Sequence, residues 1–277
     1  GLVATAAFAA SAPQWLLGAR SAITVAHAIA GVGGWVGLTM GGTIVTLGPT
    51  AVRTRMDPRA VDLASLALPV WTAGLLAAVA GALAGHMRAV AAGLAVVGLA
   101  AAAGIAYPLA RAAMRKGPSE YGSWSMCLGT AWILVGVAVV AQHAWATGTG
   151  EQLRAANLPW LPIIGAGGLG QVFIGALTYL MPVVIGGGPR AVRVGVGALE
   201  AAAPMREAAR NAALVLLAAA TASQAPAAAP LATACWAVVL ATYLADIALM
   251  ARAGTAQARA RTAPPSPSPS NTGGPRG

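Results

Sequence analysis

The sequence predicts an all-α protein, a polytopic bundle of transmembrane helices. Hydrophobic residues make up 58% of the chain and charged residues only 9%, whereas a soluble domain carries about 25% charged residues. The apolar residues form long runs without charges, and the mean hydropathy of the chain is +0.72. This composition excludes a water-soluble fold and indicates a protein that crosses the bilayer several times.

Seven apolar runs are long enough to span a ~30 Å hydrocarbon core, which takes about 20 helical residues. Residues 1–11 are apolar but too few to cross, so we expect the end of a helix that begins upstream, in a fragment or processed product. About seven complete spans and a truncated N-terminal helix are therefore predicted. The predicted spans cover residues 20–48, 63–84, 89–110, 122–146, 159–186, 208–224 and 229–251.

The first span is rich in glycine. Small residues at every fourth position let another helix backbone approach closely in lipid, and here they are Gly33, Gly37 and Gly41. A neighbouring face carries His27, Gly31 and Gly34, which leaves open space beside the imidazole. That space suits a flat cofactor or, equally, a bulky side chain from another helix.

The basic residues alternate between the segments that connect the spans. One set of alternate segments holds 14 of the 17 Lys and Arg residues and the other set holds 3. Because cytoplasmic loops are enriched in Lys and Arg, we expect residues 11–20 outside and the C-terminus inside the cell (plasma) membrane. No basic stripe is interleaved with aromatic residues, so the expected partner is the lipid bilayer and no nucleic acid.

The chain divides into two regions. Residues 1–253 are predicted to form the transmembrane domain, and residues 254–277 a disordered cytoplasmic tail, because the tail is rich in Pro and Ser and has no apolar face to bury. No repeat of fixed period is evident along the transmembrane domain.

Three histidines are the candidate metal or cofactor ligands. His27, His86 and His143 all fall in the extracytoplasmic half of the predicted topology. Imidazole binds haem iron, copper or zinc through a neutral nitrogen. His27 and His143 lie within about one helical turn of the same depth, so we expect that, if any cofactor binds, it is a single haem near the outer face with His27 as its best axial ligand. The alternative is that His86 and His143 are interfacial polar residues and His27 a hydrogen-bonded core residue.

Two further polar residues lie within predicted spans. Gln171 is near the middle of the fifth span, flanked by glycines, where its amide bridges two helices or hydrogen-bonds the edge of a cofactor. Asp246 is the only carboxylate within a predicted span. We expect it to pair with Arg210 at the start of the sixth span, with a proton-relay role as the alternative.

Two segments, residues 27–56 and 168–193, resemble a known family. Their most specific stretches are GWVGLT at 34–39, RTRM at 53–56 and YLMPVVIGGGP at 179–189. The chain resembles the polytopic membrane domain of actinobacterial membrane-bound copper oxidases of the multicopper-oxidase or nitrite-reductase-like group. That domain is distantly similar to the haem-copper oxidase subunit I superfamily, and the resemblance extends over most of residues 1–253.

The resemblance implies a redox setting but not a complete site. His27 matches the first histidine of the family pattern, whereas Ile29 and Gly31 replace the second histidine and an asparagine. Three histidines are too few for a haem-copper active site, which needs six. The chain ends in a Pro/Ser tail where relatives continue into copper-binding domains, so copper is not expected within this chain.

Two functions remain open from the sequence. The first is a membrane domain of a redox system, either the anchor of a copper oxidase or other redox partner or a haem-binding bundle associated with electron transfer. The second is a cofactor-free bundle, transporter-like or purely structural. A transporter would show broken helices and several polar groups near the bilayer midplane. No complete catalytic site is recognisable, so whether the chain is an enzyme is left undecided.

Overall fold

A computed structural model describes residues 14–262, which contain helices and short connections but no strand. The predicted all-α bundle is confirmed. The helix α1 begins at Gln14, and its apolar part is Ala19–Ala51. The other helices are α2 Ala60–Leu83, α3 Met87–Lys116, α4 Tyr121–Ala146, α5 Gly150–Asn157, α6 Leu161–Ile185, α7 Gly188–Leu199, α8 Ala203–Ser223 and α9 Ala229–Thr262.

Six helical stretches in residues 14–262 are long and apolar enough to cross a membrane: α1, α2, α3, α4, α6 and the stretch Pro226–Thr262 that contains α9. The remaining predicted span corresponds to α8. It has 21 residues, but Arg206, Glu207 and Arg210 in its first half lower its hydropathy. It still lies antiparallel to α9, because Arg210 contacts Thr242 while Leu217 and Cys235 share one apolar cluster.

The helix α9 continues past residue 253, the predicted end of the transmembrane domain. Gln257 Nε2 donates to the carbonyl oxygens of Pro182, at 2.6 Å, and Gly186, at 2.9 Å. Arg261 donates to the Ile185 carbonyl at 3.4 Å. These bonds satisfy the C-terminal carbonyls of α6 and keep the end of α9 packed against it. The truncated N-terminal helix and the rest of the predicted tail fall in residues 1–13 and 263–277, outside the described residues.

The connections that carry most of the basic residues meet at one end of the bundle, which we call the basic end. There, Arg115 pairs with Asp57 at 2.8 Å, and Lys116 Nζ donates to the Arg53 carbonyl at 3.3 Å. At the opposite end, the Arg88 guanidinium lies 5.6 Å from the centre of the Trp145 ring. The two sets of loops are therefore separated as the alternation of Lys and Arg predicts, and the cytoplasmic location of the basic end stays a prediction.

The glycine face of α1 packs against the hairpin of α2 and α3. A methyl group on Gly33 would lie 2.9 Å from Leu75 Cδ2, and one on Gly41 would lie 2.6 Å from Ile105 Cδ1. The Gly33 carbonyl also accepts a hydrogen bond of 3.0 Å from Trp71 Nε1. Large side chains of α2 and α3 therefore fill the space beside these glycines.

Three of the long helices are interrupted by a π-helical segment: Ile29–Val36 in α1, Ala102–Ala106 in α3 and Gly165–Gly170 in α6. A π segment inserts one extra residue per turn and displaces carbonyl groups from the regular ladder, and such segments are frequent at functional sites. The backbone remains helical on both sides of each segment, so these three helices are distorted but continuous.

The two halves of the chain share a pair of short motifs. The π segments of α1 and α6 contain Gly-x-Gly-Gly, at residues 31–34 and 165–168, and each is followed by Gly-Pro-x-Ala-Val-Arg, at 48–53 and 188–193. A helical hairpin comes next in both halves, α2 with α3 and α8 with α9, and α4 packs between α3 and α6. The spacing between the two motifs differs between the halves, so they do not form a repeat of fixed period.

Candidate functional site

A cluster of charged side chains is buried where α4, α8 and α9 meet near the basic end. Its centre is Asp246, whose side chain is fully buried. One carboxylate oxygen of Asp246 accepts from Arg206 Nη1, and the other accepts from Arg210 Nη2 and, at 2.6 Å, from the Tyr121 hydroxyl. The predicted pairing of Asp246 with Arg210 is confirmed, and it belongs to a larger network.

The two arginines are held by further contacts. Arg210 Nε donates to Thr242 Oγ1 at 3.2 Å, and its guanidinium stacks 4.1 Å from the centre of the Tyr243 ring. Arg206 donates to the carbonyl oxygens of Leu199, at 2.6 Å, and Ala201, at 3.0 Å. Because these carbonyls belong to the turn before α8, Arg206 fixes the point at which α8 enters the bundle.

Glu207 is the second buried carboxylate of the cluster, and its surroundings are poor in donors. Glu207 Oε2 accepts one hydrogen bond, 3.3 Å from Asn211 Nδ2. Its Oε1 lies 3.9 Å from Arg210 Nη1, beyond hydrogen-bonding distance. Within the described residues, Glu207 Oε1, Arg210 Nη1 and Ser125 Oγ are all buried without a hydrogen-bond partner.

An amide layer lies beside the ionic cluster and contains Gln171. The side chains of Gln171 and Asn211 exchange two hydrogen bonds of 3.1 and 3.0 Å, which join α6 to α8. Gln171 also donates to the Gly167 carbonyl at 2.8 Å, and the Tyr243 hydroxyl donates to the Ala166 carbonyl at 2.5 Å. Both carbonyls belong to the π segment of α6. Of the two roles considered for Gln171, the bridge between helices is the one that the structure describes.

His143 lies in a groove at the end opposite the basic end. Its Nδ1 is 2.9 Å from Asn157 Oδ1, and Asn157 Nδ2 donates to the Leu153 carbonyl at 3.0 Å. Because that second bond fixes which side of the Asn157 amide is the oxygen, His143 Nδ1 carries the proton and Nε2 keeps its lone pair. The groove has a volume of about 730 Å³, and its polar lining consists of Gln142, His143, Thr147, Trp160, Thr221 and Gln224.

The other predicted ligands lie elsewhere. The side chain of His27 is exposed on α1, and a methyl group on Gly31 would meet no atom within 4 Å. Gly34 faces Leu75, since a methyl group on Gly34 would lie 3.7 Å from Leu75 Cδ1. His86 is exposed in the turn before α3. Neither His27 nor His86 lines the groove that contains His143.

A small cavity of about 80 Å³, which we call the vestibule, lies at the basic end beneath the ionic cluster. An ion pair of 2.5 Å between Arg53 and Glu120 contributes to its lining. The Glu200 carboxylate accepts from the Tyr121 backbone N–H, at 3.0 and 3.1 Å. Burial raises the pKa of Glu200, while the bond from Tyr121 lowers it in part.

Sequence reasoning misses most of the cluster. Arg206 and Arg210 fall among the basic residues of the connections, and nothing in the local sequence singles out Glu207 or Tyr121. The available signal is the spacing of Arg206 and Arg210, four residues apart, which places both on one face of a helix.

The described residues contain no group of three or more His, Cys, Asp or Glu side chains arranged to hold a metal ion. No protein-family model, curated protein or solved structure matches the chain. The arrangement of its own side chains therefore carries the functional argument.

Proposed function

We propose that the chain is the membrane domain of a redox system and that the groove at His143 binds one haem. The single observation that carries this proposal is the contact of 2.9 Å between His143 Nδ1 and Asn157 Oδ1, which leaves Nε2 of this groove-lining histidine as the nitrogen that would bind the iron. The resemblance to the membrane domains of copper oxidases supports a redox setting, with the copper partner outside this chain.

The groove fits the demands of such a group. Cofactor pockets have volumes of about 300 to 1,000 Å³ and combine apolar walls with a few fixed polar groups, which the 730 Å³ groove provides. Metal-bound histidines commonly donate their second ring N–H to an oxygen acceptor, which orients the ring and raises its basicity, and Asn157 is that acceptor here. A bound haem would supply one-electron chemistry, while His143 and Asn157 orient it.

His143 replaces His27 as the best candidate ligand. His27 is exposed on α1 and lines no described groove, so a haem on that side would need a further wall. His143, by contrast, is half-buried, and its ring makes an edge contact with Trp160 at a centroid distance of 6.1 Å. In the predicted orientation, a haem at His143 lies at the outer face, where an extracytoplasmic redox partner has access to it.

A pyridine haemochrome assay tests the proposal on protein expressed with a haem precursor and purified in detergent. We expect haem in the wild type, loss of haem in His143→Ala and full retention in the matched controls His27→Ala and His86→Ala. Asn157→Ala should weaken haem binding by about 10- to 100-fold, because outer-shell partners of metal ligands have effects of that size. Wild-type protein without haem, or His143→Ala with a full complement, refutes the haem proposal.

A cofactor-free transporter-like bundle is the second candidate, and a separate observation favours it. The ionic cluster around Asp246 is a feature expected of a transport pathway. The π segments in α1, α3 and α6 add displaced backbone carbonyls of a kind that is frequent at functional sites. Proteoliposomes that enclose a pH-sensitive dye separate the two candidates. Proton or solute uptake by haem-free protein favours transport, whereas haem binding without uptake favours the redox domain.

A further inference from the structure

The two buried carboxylates of the ionic cluster differ in the number of donors that face them. Asp246 accepts from Arg206, Arg210 and the Tyr121 hydroxyl. Glu207 accepts one long bond, from Asn211 at 3.3 Å. Donors to the charged form keep a carboxyl ionised, whereas burial without donors favours the neutral form. When two carboxyls share a site in this way, the one with fewer donors takes the proton.

Three buried polar atoms without hydrogen-bond partners belong to the ionic cluster around Glu207. They are Glu207 Oε1, Arg210 Nη1 and Ser125 Oγ, and the three residues are 5%, 0% and 0% exposed. A separation of 3.9 Å between Nη1 and Oε1 is too long for a direct hydrogen bond. One water molecule bonded to all three atoms would satisfy them, since buried waters typically make about three hydrogen bonds to groups otherwise left unsatisfied.

We propose that Glu207, together with one bridging water, is a buried proton-binding site. A proton from solvent adds to Glu207 Oε1, which converts the carboxylate to a neutral acid that donates to the water. The bridging water in turn donates to Ser125 Oγ and accepts from Arg210 Nη1. No bond other than the O–H bond is formed, and release reverses the step.

Two effects on the protonation of Glu207 act in opposite directions. With Asp246 ionised and both arginines charged, the cluster is neutral when Glu207 is ionised and carries one positive charge when Glu207 is protonated. Arg210 therefore favours the ionised acid, whereas burial favours the neutral one, and this opposition makes the site responsive to pH. The titratable and charged groups that face it are Tyr121 from α4, Arg206 and Arg210 from α8, and Tyr243 and Asp246 from α9.

The vestibule lies beside the first turn of α4 at the basic end. Gly122 and Ser123 line the vestibule together with Glu120 and Glu200. Ser125 follows Ser123 by two residues on α4, which corresponds to about 3 Å along the helix axis. Because the ionic cluster lies near the basic end, we expect the proton to enter from that end, and the groove at His143 lies at the opposite end. The proposal is independent of haem binding, and haem-free protein tests it equally well.

Infrared difference spectroscopy of the purified protein, recorded as a function of pH, tests the site. We expect a band from a protonated buried carboxyl that appears on acidification and shifts in D₂O. The band should be lost in Glu207→Gln, a substitution of the same shape, and retained in Glu151→Gln, which removes an exposed carboxylate on α5. A band that persists in Glu207→Gln, or no such band in folded wild type, overturns the proposal.

A second variant tests the bridging water. Ser125→Ala removes one of its three partners but leaves Glu207 in place, so the band should remain while its frequency and its titration midpoint shift. Unchanged frequency and midpoint in Ser125→Ala contradict the bridge. Near-UV circular dichroism establishes that each variant is folded before its spectrum is compared.

Discussion

The two helical hairpins of the molecule, α2 with α3 and α8 with α9, differ in the contacts that hold their helices together. In the first half, α2 and α3 meet through small residues: a methyl group on Gly93 would lie 2.5 Å from the Gly74 carbonyl oxygen. In the second half, α8 and α9 meet through Asp246, Arg206 and Arg210. Lipid provides no hydrophobic drive for helices to associate, so close packing and polar contacts are the two available devices. The hairpin of α2 and α3 packs through small residues, whereas the hairpin of α8 and α9 adds polar contacts to its apolar cluster.

The two interfaces differ in the groups that they can enclose. The α2 and α3 interface excludes other groups, since Ala78, Ala82 and Val90 are fully buried within it. The α8 and α9 interface keeps ionisable groups inside the bundle and leaves three polar atoms without partners in the described residues. Charges at such a depth are costly and occur mainly where they have a function. The second hairpin therefore contains the buried ionisable groups on which the proposed proton-binding site depends.

The largest effect is expected from breaking the ionic cluster. Asp246→Asn removes the buried carboxylate that accepts hydrogen bonds from both Arg206 and Arg210, which should destabilise the protein by about 3 to 5 kcal/mol. Replacing all three with apolar residues of similar size, as in Arg206→Met, Arg210→Met and Asp246→Leu together, should recover much of that loss. Unfolding in detergent, followed by circular dichroism, measures both variants.

An exposed ion pair is the control for this experiment. The side chains of Arg53 and Glu120 form a pair at the basic end but are 55% and 24% exposed. Glu120→Gln should change stability by less than about 1 kcal/mol, because solvent screens exposed pairs. If Asp246→Asn costs no more than Glu120→Gln, the buried cluster does not hold the second hairpin together.

The first hairpin should respond to the smallest added volume. Gly93→Ala places a methyl group 2.5 Å from the Gly74 carbonyl oxygen and 2.6 Å from the Ala78 backbone nitrogen. Backbone atoms cannot rotate away as a side chain does, so we expect a loss of about 1 to 3 kcal/mol from overpacking. Thermal unfolding in detergent measures the loss.

Gly42→Ala is the matched control, because a methyl group on Gly42 meets no atom within 4 Å. It should be neutral or slightly stabilising, since alanine is the better helix former. Equal effects of Gly42→Ala and Gly93→Ala would show that contact between α2 and α3 is not the reason for the glycine at 93.

The same comparison explains what the sequence can predict. Spans of the first half, such as α2, are uniformly apolar, and hydropathy places them within a few residues of the observed Ala60–Leu83. The glycine spacing of α1 predicts a face against which other residues pack closely, because this spacing can be read within a single helix. In the second half, α8 departs from the apolar pattern, since Arg206 and Arg210 resemble loop charges when read along the chain.

The candidate sites depend on contacts between distant residues, which no local pattern encodes. The Gln171 and Asn211 amides lie 40 positions apart in the chain and meet because α6 and α8 pack together. The tautomer of His143 depends on Asn157 in α5, a helix that hydropathy does not predict because it is short and polar. Histidines are recognisable as candidate ligands from the sequence, but which of them borders a groove is not.

The smallest expected effect concerns two carboxylates in the connections at the basic end, Asp57 in the first half and Glu200 in the second. In the first half, Asp57 pairs with Arg115 at 2.8 Å. In the second half, the half-buried Glu200 has only a backbone N–H donor, from Tyr121, among its described hydrogen bonds. Burial raises the pKa of Glu200 above its ordinary value of 4.5. The folded state therefore binds the proton more tightly than the unfolded state does, and stability falls as the pH rises through the raised pKa.

Glu200→Gln keeps an acceptor for Tyr121 and should flatten that part of the stability profile, measured by chemical unfolding in detergent across pH. Glu151→Gln controls for the loss of one negative charge. If the stability of Glu200→Gln depends on pH in the same way as that of the wild type, the protonation of Glu200 does not contribute to stability.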